Sequence, residues 1–351
     1  MIKRIGFACK WIDTVNQIDG IKSSDPARAL STQTTTLAWV NRQSQSVAHD
    51  RLWQIMQHNI TSIQLLVSRV GSLPASLRMV RLSSEILPLY THKDWTSFYQ
   101  QSDVQQYMIT EFAKVGDIAR QHDVRLSFHP GQFTVLASHR PDVVDNSIAE
   151  FEYHTDMACM MGYGRTFQDF KINVHISGKL GPDGIISVLP RLSSAARNCI
   201  TIENEENTYG LDQCLQLANH VPIVLDLHHH WVHDGFYLRL GDTRIKTILD
   251  SWRGVRPVLH YSQSREDLLC GHDINTKPQY RMLIKEGYSK PKLRAHSNFY
   301  WNLAVNAYAL EFLEHFDIMC ESKAKNLASQ QLYTQYLKQC NTSNTEVACL
   351  V

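Results

Sequence analysis

The chain has almost no net charge: 35 Lys and Arg against 34 Asp and Glu leave +1 over 351 residues. That excludes a globally basic nucleic-acid coat; binding of that kind has to come from a local site. Long apolar runs are missing too. No stretch reaches the roughly 18 consecutive apolar residues of a membrane span, so no membrane association is expected. The eight Cys, at 9, 159, 199, 214, 270, 320, 340 and 349, contain no C-x-x-C pair. A reduced, cytoplasmic compartment is the expectation. With only 16 Gly and 11 Pro, collagen-like, low-complexity and disordered chains are excluded, and no Pro/Gly/Ser-rich linker divides the sequence. The opening segment, Met1–Phe7, lacks the apolar core of about 7–15 residues found in a signal peptide and reads as a first strand.

Histidine is what the chain does have: 17 of them. Their positions follow a βα rhythm. Candidate strands are Ile2–Ala8, Leu77–Leu82, Val124–Phe128, Lys171–Ile176, Cys199–Glu203, Pro222–Asp226, Pro257–Tyr261 and Asp317–Glu321. Helical patterns lie between them at Val47–Val70, Asp94–Gln121, Asp145–Met161, Ile186–Asn198, Leu211–Asn219, Arg244–Trp252 and Leu303–His315. Leu52, Ile55, Met56, Asn59, Ile63, Leu66 and Val70 recur at the spacing of one buried helix face. Apolar strands alternating with helices predict a parallel sheet covered on both faces, and eight such units predict a closed (β/α)₈ TIM barrel. The barrel domain is expected over 1–325, with a C-terminal helix and a frayed tail over 326–351. Asp13–Thr36 and Ser262–Leu293 read as long loops over the barrel mouth.

Strand ends at the C-terminal face of such a barrel build the active site. Here six consecutive strands each end on an imidazole or a carboxylate: His129, His175, Glu203, Asp226, His260 and Glu321. One strand-end His is usually a satisfied core residue. Six in register are not, because buried charges must be paired or bind metal. Nitrogen and carboxylate donors together suit Mn²⁺, Zn²⁺ or Fe²⁺. They outnumber the ligands of one ion, and a carboxylate bridging two ions about 4 Å apart is the arrangement used for phosphoester cleavage. Glu203, on the middle strand, is the candidate bridge. In His228–His230, adjacent residues at a strand end would face opposite ways, so His229 is taken as the one that returns over the mouth. His296, in the long insertion, is a further candidate.

The ordered motifs carry a resemblance. RLSSEILP at 81–88, SFHPGQF at 127–133, VHISG at 174–178, IENE at 202–205, LDLHHH at 225–230, HYS at 260–262, RAHS at 294–297 and ESKAK at 321–325 resemble the successive motifs of the UV damage endonuclease family. IGFAC at 5–9 and TTL at 35–37 resemble its opening. The resemblance implies a TIM barrel related to the endonuclease IV and xylose isomerase-like barrels. It implies a DNA repair enzyme acting on damaged double-stranded DNA, nicking it immediately 5′ of cyclobutane dimers and 6-4 products. Two or three divalent ions, Mn²⁺ first among them, would be held by His129, His175, Glu203, Asp226, His229, His260, His296 and Glu321. Glu203, Glu321 and His229 would be the catalytic residues. Gln132 and Phe133 would probe the duplex, with Phe7 near the lesion pocket and Arg81 and Lys323 on phosphates.

Two departures stand out. Many members have Tyr at 7 and 133, where this chain has Phe. Many carry Lys two residues before the strand-seven His, where this chain has Val258, which bears on the third metal and its charge balance. An abasic-site endonuclease, a sugar isomerase or epimerase, and a non-catalytic damage-binding barrel are the competing readings. A monomer suffices for nicking.

Overall fold

In a computed structural model, which describes residues 2–348 with side chains to residue 341, eight parallel strands form one barrel. They are β1 Ile5–Ala8, β2 Met79–Arg81, β3 Arg125–Phe128, β4 Lys171–His175, β5 Ile200–Glu203, β6 Ile223–Val224, β7 Val258–Tyr261 and β8 Asp317–Cys320. Each falls within its expected segment; β2, β4 and β8 stop one residue short of it and β6 two. The sheet runs β6-β5-β4-β3-β2-β1-β8-β7. It closes between β6 and β7 at one parallel bridge, Asp226 to His260, where the His260 N–H donates to Leu225 O at 2.9 Å. No helix among the described residues is long and apolar enough to cross a membrane.

The register decides what enters the barrel. Gly6 pairs with Met319, Arg81 with Ser127, Ser127 with Lys171, His175 with Glu203 and Val258 with Asp317. Partners across a sheet share a face, so these residues and those two positions away point inward. Gly6 is required there, since a Cβ on it would lie 2.5 Å from Met79 O. Phe7 has the opposite parity. It is 1% exposed and packs outward against Trp11, ring centroids 5.9 Å apart. The expected place for Phe7 near the lesion pocket is therefore corrected: strand alternation turns the ring to the helical layer, away from the mouth.

The helix Gln45–Gly71 starts at Ser44, whose hydroxyl accepts from the Val47 N–H, and buries the predicted face against the barrel. Its buried Asn59 bonds the backbone of Gln33 and Ile86, pinning the long first loop to the mouth. The expected helix Asp94–Gln121 is two, Thr96–Tyr99 and Ser102–Gln121. The one expected over Ile186–Asn198 is also broken: Gly181–Val188 ends at a turn holding Pro190, and Ser194–Cys199 restarts under the Ser193 cap. A proline lacks the N–H that would continue the first helix. Past Leu337, where fraying was expected, the helix Lys325–Ala348 continues; residues 349–351 lie outside the described chain.

In the helix Pro141–Met160, His154 is fully buried against Phe128 and Tyr153. Its Nδ1 lies 2.8 Å from Glu150 O, an acceptor, so Nδ1–H donates and Nε2 is left without a partner. Burial pushes its pKa down to about 4. Between about pH 6.5 and 4 the unfolded chain binds a proton here that the native state does not. Stability from this group is thus complete above pH 6.5 and falls by about 1.4 kcal/mol per pH unit through that window. Urea unfolding at pH 7, 6 and 5 should show a shallower loss in His154→Leu than in the wild type; parallel losses would rule the group out.

Candidate metal centre

Glu203 ends β5 with its carboxylate 0% exposed in the centre of the barrel. Oε2 lies 3.0 Å from His260 Nδ1, 3.3 Å from His129 Nε2 and 3.6 Å from His175 Nε2. Oε1 lies 3.3 Å from His229 Nδ1. Burial alone would raise the Glu203 pKa, but His260 and His175, with donors from His129 and His229, hold it well below the usual carboxylate range. Asn173, two residues before His175 on β4, also donates to Oε2. The Thr201 hydroxyl in turn donates to Asn173 Oδ1 at 2.7 Å, which fixes the amide.

Two groups of ligand atoms converge on this carboxylate. His129, His175 and Glu203 form one; Glu203, Asp226 and His260 form the other, each set lying within 4.8 Å. Glu203 belongs to both, as a bridge must. Glu203 Oε1, Asp226 Oδ2 and His260 Nδ1 are buried without a hydrogen-bond partner. Such atoms are costly unless something binds them. The imidazoles are ready to bind: burial pushes the pKa of His175 and His260 down to about 4, so both are neutral near pH 7. Neutral nitrogens and the ionised Glu203 around buried orphan atoms fit a divalent ion; burial raises the Asp226 pKa well above the usual carboxylate range, so an ion there would take the place of its proton.

The tautomers are set by backbone carbonyls. His129 Nδ1 lies 3.0 Å from Pro130 O, His229 Nδ1 3.0 Å from Asn204 O and His296 Nδ1 3.1 Å from Glu321 O. Carbonyls only accept, so each Nδ1 carries a proton and Nε2 is the nitrogen left for an ion to take. His260 is reversed. Its Nδ1 faces Glu203 and, at 3.3 Å, Glu321, while Nε2 meets Lys171 Nζ at 2.9 Å. Lys171 comes from β4, across the barrel, and is fully enclosed; burial pushes its pKa down to about 7 against the attraction of Glu203. The lysine absent at Val258, itself buried, thus has a lysine counterpart that reaches the strand-seven His from the opposite wall. Lys171 was not singled out in the sequence.

The histidine run is not a strand end. Asp226 caps the helix Leu227–Asp234, its carboxylate accepting from the His229 N–H at 2.7 Å. A helix turns each successive residue by about 100°, not 180°. His229 accordingly faces the site, His228 stacks on Trp231, and His230 Nδ1 lies 2.8 Å from Asp234. Burial opposes the charged form of His229, but Asp226, Glu203 and Glu206 outweigh it and hold its pKa well up.

The rim departs further from expectation. Arg81 lines the cleft but ends β2 inside the barrel, where it donates to Glu321, which also faces His260. Glu321 and His296 lie around the two ligand groups rather than within them. Glu206 is a residue the sequence reading missed. Its Oε2 lies 3.7 Å from His229 Nε2, and its Oε1 takes an ion pair from Arg294 at 2.7 Å. The acidic run after Glu203 was the available signal. A cleft of about 400 Å³ joins His129, His175, His229, His296, Arg294 and Glu321 to Gln132. Beyond Gln132, in the turn closed by Thr134 N–H to Gly131 O, Phe133 stands 84% exposed. Lys323, also exposed, follows Glu321.

Known proteins match this arrangement along its length. A UV DNA damage endonuclease of Bacillus velezensis is 28% identical over 285 residues, covering 76% of this chain and 79% of that protein. One of Bacillus mycoides is 25% identical and covers 95% of this chain and 94% of its own length. Among solved structures, SacUVDE shares the fold with a TM-score of 0.69 at 21% identity, covering 97% of this chain and 99% of that one. Endonuclease IV from Thermus thermophilus shares it more distantly, with a TM-score of 0.51 at 11% identity over 79% of this chain and 94% of that one. The model of the family described as UV-endonuclease UvdE matches residues 3–349, and the chain belongs to that family.

Proposed function

We propose that this protein nicks DNA immediately 5′ of UV photoproducts, cyclobutane pyrimidine dimers and 6-4 products alike, by metal-assisted hydrolysis of the phosphodiester. Supporting the reading is one observation above others: a buried carboxylate, Glu203, common to two ligand groups at the floor of a cleft whose rim carries an exposed aromatic ring. The products are a 3′-hydroxyl and a 5′-phosphate. The enzyme acts as a cytoplasmic monomer, with residues 1–325 as the catalytic domain and 326–351 as a C-terminal appendage.

His129, His175, Glu203, Asp226 and His260 are the residues that would hold the ions. Ions bound there supply Lewis acidity and hydroxide near neutral pH, and Mn²⁺, Zn²⁺ and Fe²⁺ all suit the donors, with Mn²⁺ the working assignment. His296 keeps Nε2 free for a further ligation, and an ion at His229 would displace the proton that Asp226, Glu203 and Glu206 favour there. Glu203 sets the charge of the centre; Asn173 fixes its orientation. Lys171 places its amine behind His260. Arg294, at the cleft, orients Glu206 and lies where a phosphate would enter.

Gln132 and Phe133 act on the duplex. A photodimer stacks and pairs poorly, so extruding it costs less than extruding intact bases. An exposed ring can fill the gap and hold the kink. Phe133→Ala should lower kcat/KM on a dimer-containing duplex about 10- to 100-fold, the value of one lost stack. Its metal content should be that of the wild type. Equal kcat/KM in variant and wild type would remove Phe133 from recognition.

The test of the whole reading is a 5′-labelled duplex with a single cyclobutane dimer, incubated with protein and Mn²⁺ or EDTA. One Mn²⁺-dependent cut directly 5′ of the dimer is expected. Folded, metal-loaded protein that leaves this duplex intact would overturn it.

A further inference from the structure

Beside the metal cleft, the ends of β1 and β8 enclose a second pocket of about 190 Å³. These strands are neighbours, Phe7 pairing with Cys320. Four cations line it: Lys10 follows β1, Arg28 comes from the turn Pro26–Leu30 of the first long loop, and Lys323 and Lys325 follow β8. None of the four makes an ion pair with a carboxylate among the described residues. Asp19 is the one acidic residue on the wall; it is exposed and pairs with none of them. Some basic residues elsewhere are neutralised in pairs. Arg4, Arg140, Arg191, Arg244, Lys246 and Arg265 each sit within 3.0 Å of a carboxylate oxygen.

The backbone adds positive potential at the same place. Lys325 is the first residue of the helix Lys325–Ala348, whose first turn holds no acidic residue. A helix N-terminus carries a partial positive charge and disfavours a lysine there. Lys325 also has φ +50°, and Cys9, just before Lys10, has φ +70°. Neither conformation is easy for a residue with a side chain. Two strained residues thus hold two cations against a third source of positive charge. Burial lowers the Lys325 pKa, against the attraction of Cys9 and Glu321, while Arg81 and Lys10 repel it. An anion in the pocket would offset the gathered positive charge, of the side chains and of the helix terminus alike.

We propose that Lys10, Arg28, Lys323 and Lys325 form a binding site for a backbone phosphate of the DNA strand, separate from the metal-bound phosphate. The inference rests on the reading of this chain as a DNA enzyme and assigns it a second electrostatic anchor. Because the chain as a whole is near neutral, such a pocket would supply a large share of its affinity for undamaged DNA as well. Each phosphate neutralised releases counterions, so each contact adds about one unit to the slope of log affinity against log salt.

The experiment measures binding of an undamaged duplex by the full, metal-loaded protein between 50 and 200 mM salt. This readout does not depend on nicking. Arg28→Gln should weaken binding about 3- to 10-fold and reduce the slope by about one unit; adding Lys10→Gln should reduce it by about two. Arg28→Lys should restore both, since a phosphate contact needs the charge. Lys246→Gln, on the helix Thr243–Ser251 and paired with Asp250, should change neither. Wild-type affinity and slope in the folded Arg28→Gln and Lys10→Gln proteins would overturn the proposal. So would tight binding of inorganic phosphate, lost in Arg28→Gln, with DNA binding untouched; the pocket would then serve a free anion. If the slopes fall as expected but the dimer duplex is not cut, the pocket stands and the nuclease reading fails.

Discussion

Glu203→Gln is expected to reduce nicking of a dimer-containing duplex by about 10⁴-fold and to lower the metal bound per chain. The exchange keeps the shape of the side chain and removes its charge. Four imidazoles approach this carboxylate at 3.0 to 3.6 Å, and both ligand groups depend on it. Without the anion neither group retains its full ligand charge. Loss of Lewis acidity and of the neutral-pH hydroxide removes several kcal/mol of transition-state stabilisation, and each 1.4 kcal/mol is about tenfold in rate. Binding of the damaged duplex, carried by the rim and by surface cations, should survive. The measurement pairs single-turnover nicking with elemental analysis of the dialysed protein. Nicking within tenfold of wild type would remove Glu203 from the chemistry and the bridge from the account.

Asp317→Ala should cost about 3–5 kcal/mol of stability, near 10 °C in Tm, while activity per folded molecule is unchanged. Asp317 begins β8 at the opposite end of the barrel and is fully buried. One oxygen takes Arg125 at 2.7 Å; the other takes Arg256 at 2.7 Å and the Arg4 N–H at 2.9 Å. Burial pushes the Arg125 pKa down, and Asp317 is the chief influence opposing it. Removing the carboxylate leaves two enclosed guanidinium groups facing each other, which is far worse than never having had the pair. Asp317→Asn keeps the acceptor oxygen and should lose less. Residues at the bottom of a barrel serve stability and those at the top serve chemistry. A loss below 1 kcal/mol by urea unfolding, or a drop in specific activity at full folding, would contradict this division.

How far the site was legible follows from its parts. His129, His175, Glu203, Asp226 and His260 could be read because parallel strands of one barrel end on one face, so a strand-end pattern is already a position in space. His229 was readable as a candidate for the wrong local reason. The run at 228–230 was treated as alternating strand residues, whereas Asp226 caps a helix there. Asp226, just ahead of the histidine run, was a usable cap signal, masked by the strand before it. Phe7 was placed through the family resemblance, and a four-residue strand with every position buried offered no alternation to check it.

The amino-acid sequence by itself determined the βα alternation, the eight strands and the ring of donors at their ends. These depend on local periodicity and on where each apolar run stops. Only the tertiary structure decided which donors share an ion, that Arg81 belongs to Glu321 across 240 residues, and that Lys171 supports His260 across 89. It also turned Phe7 outward and gathered unpaired cations from the ends of β1 and β8. The physical reason is barrel closure. Register between neighbouring strands fixes which side chains enter the interior and at what height, and the sum of those registers around the ring brings distant residues within bonding distance, a geometry that no local pattern encodes.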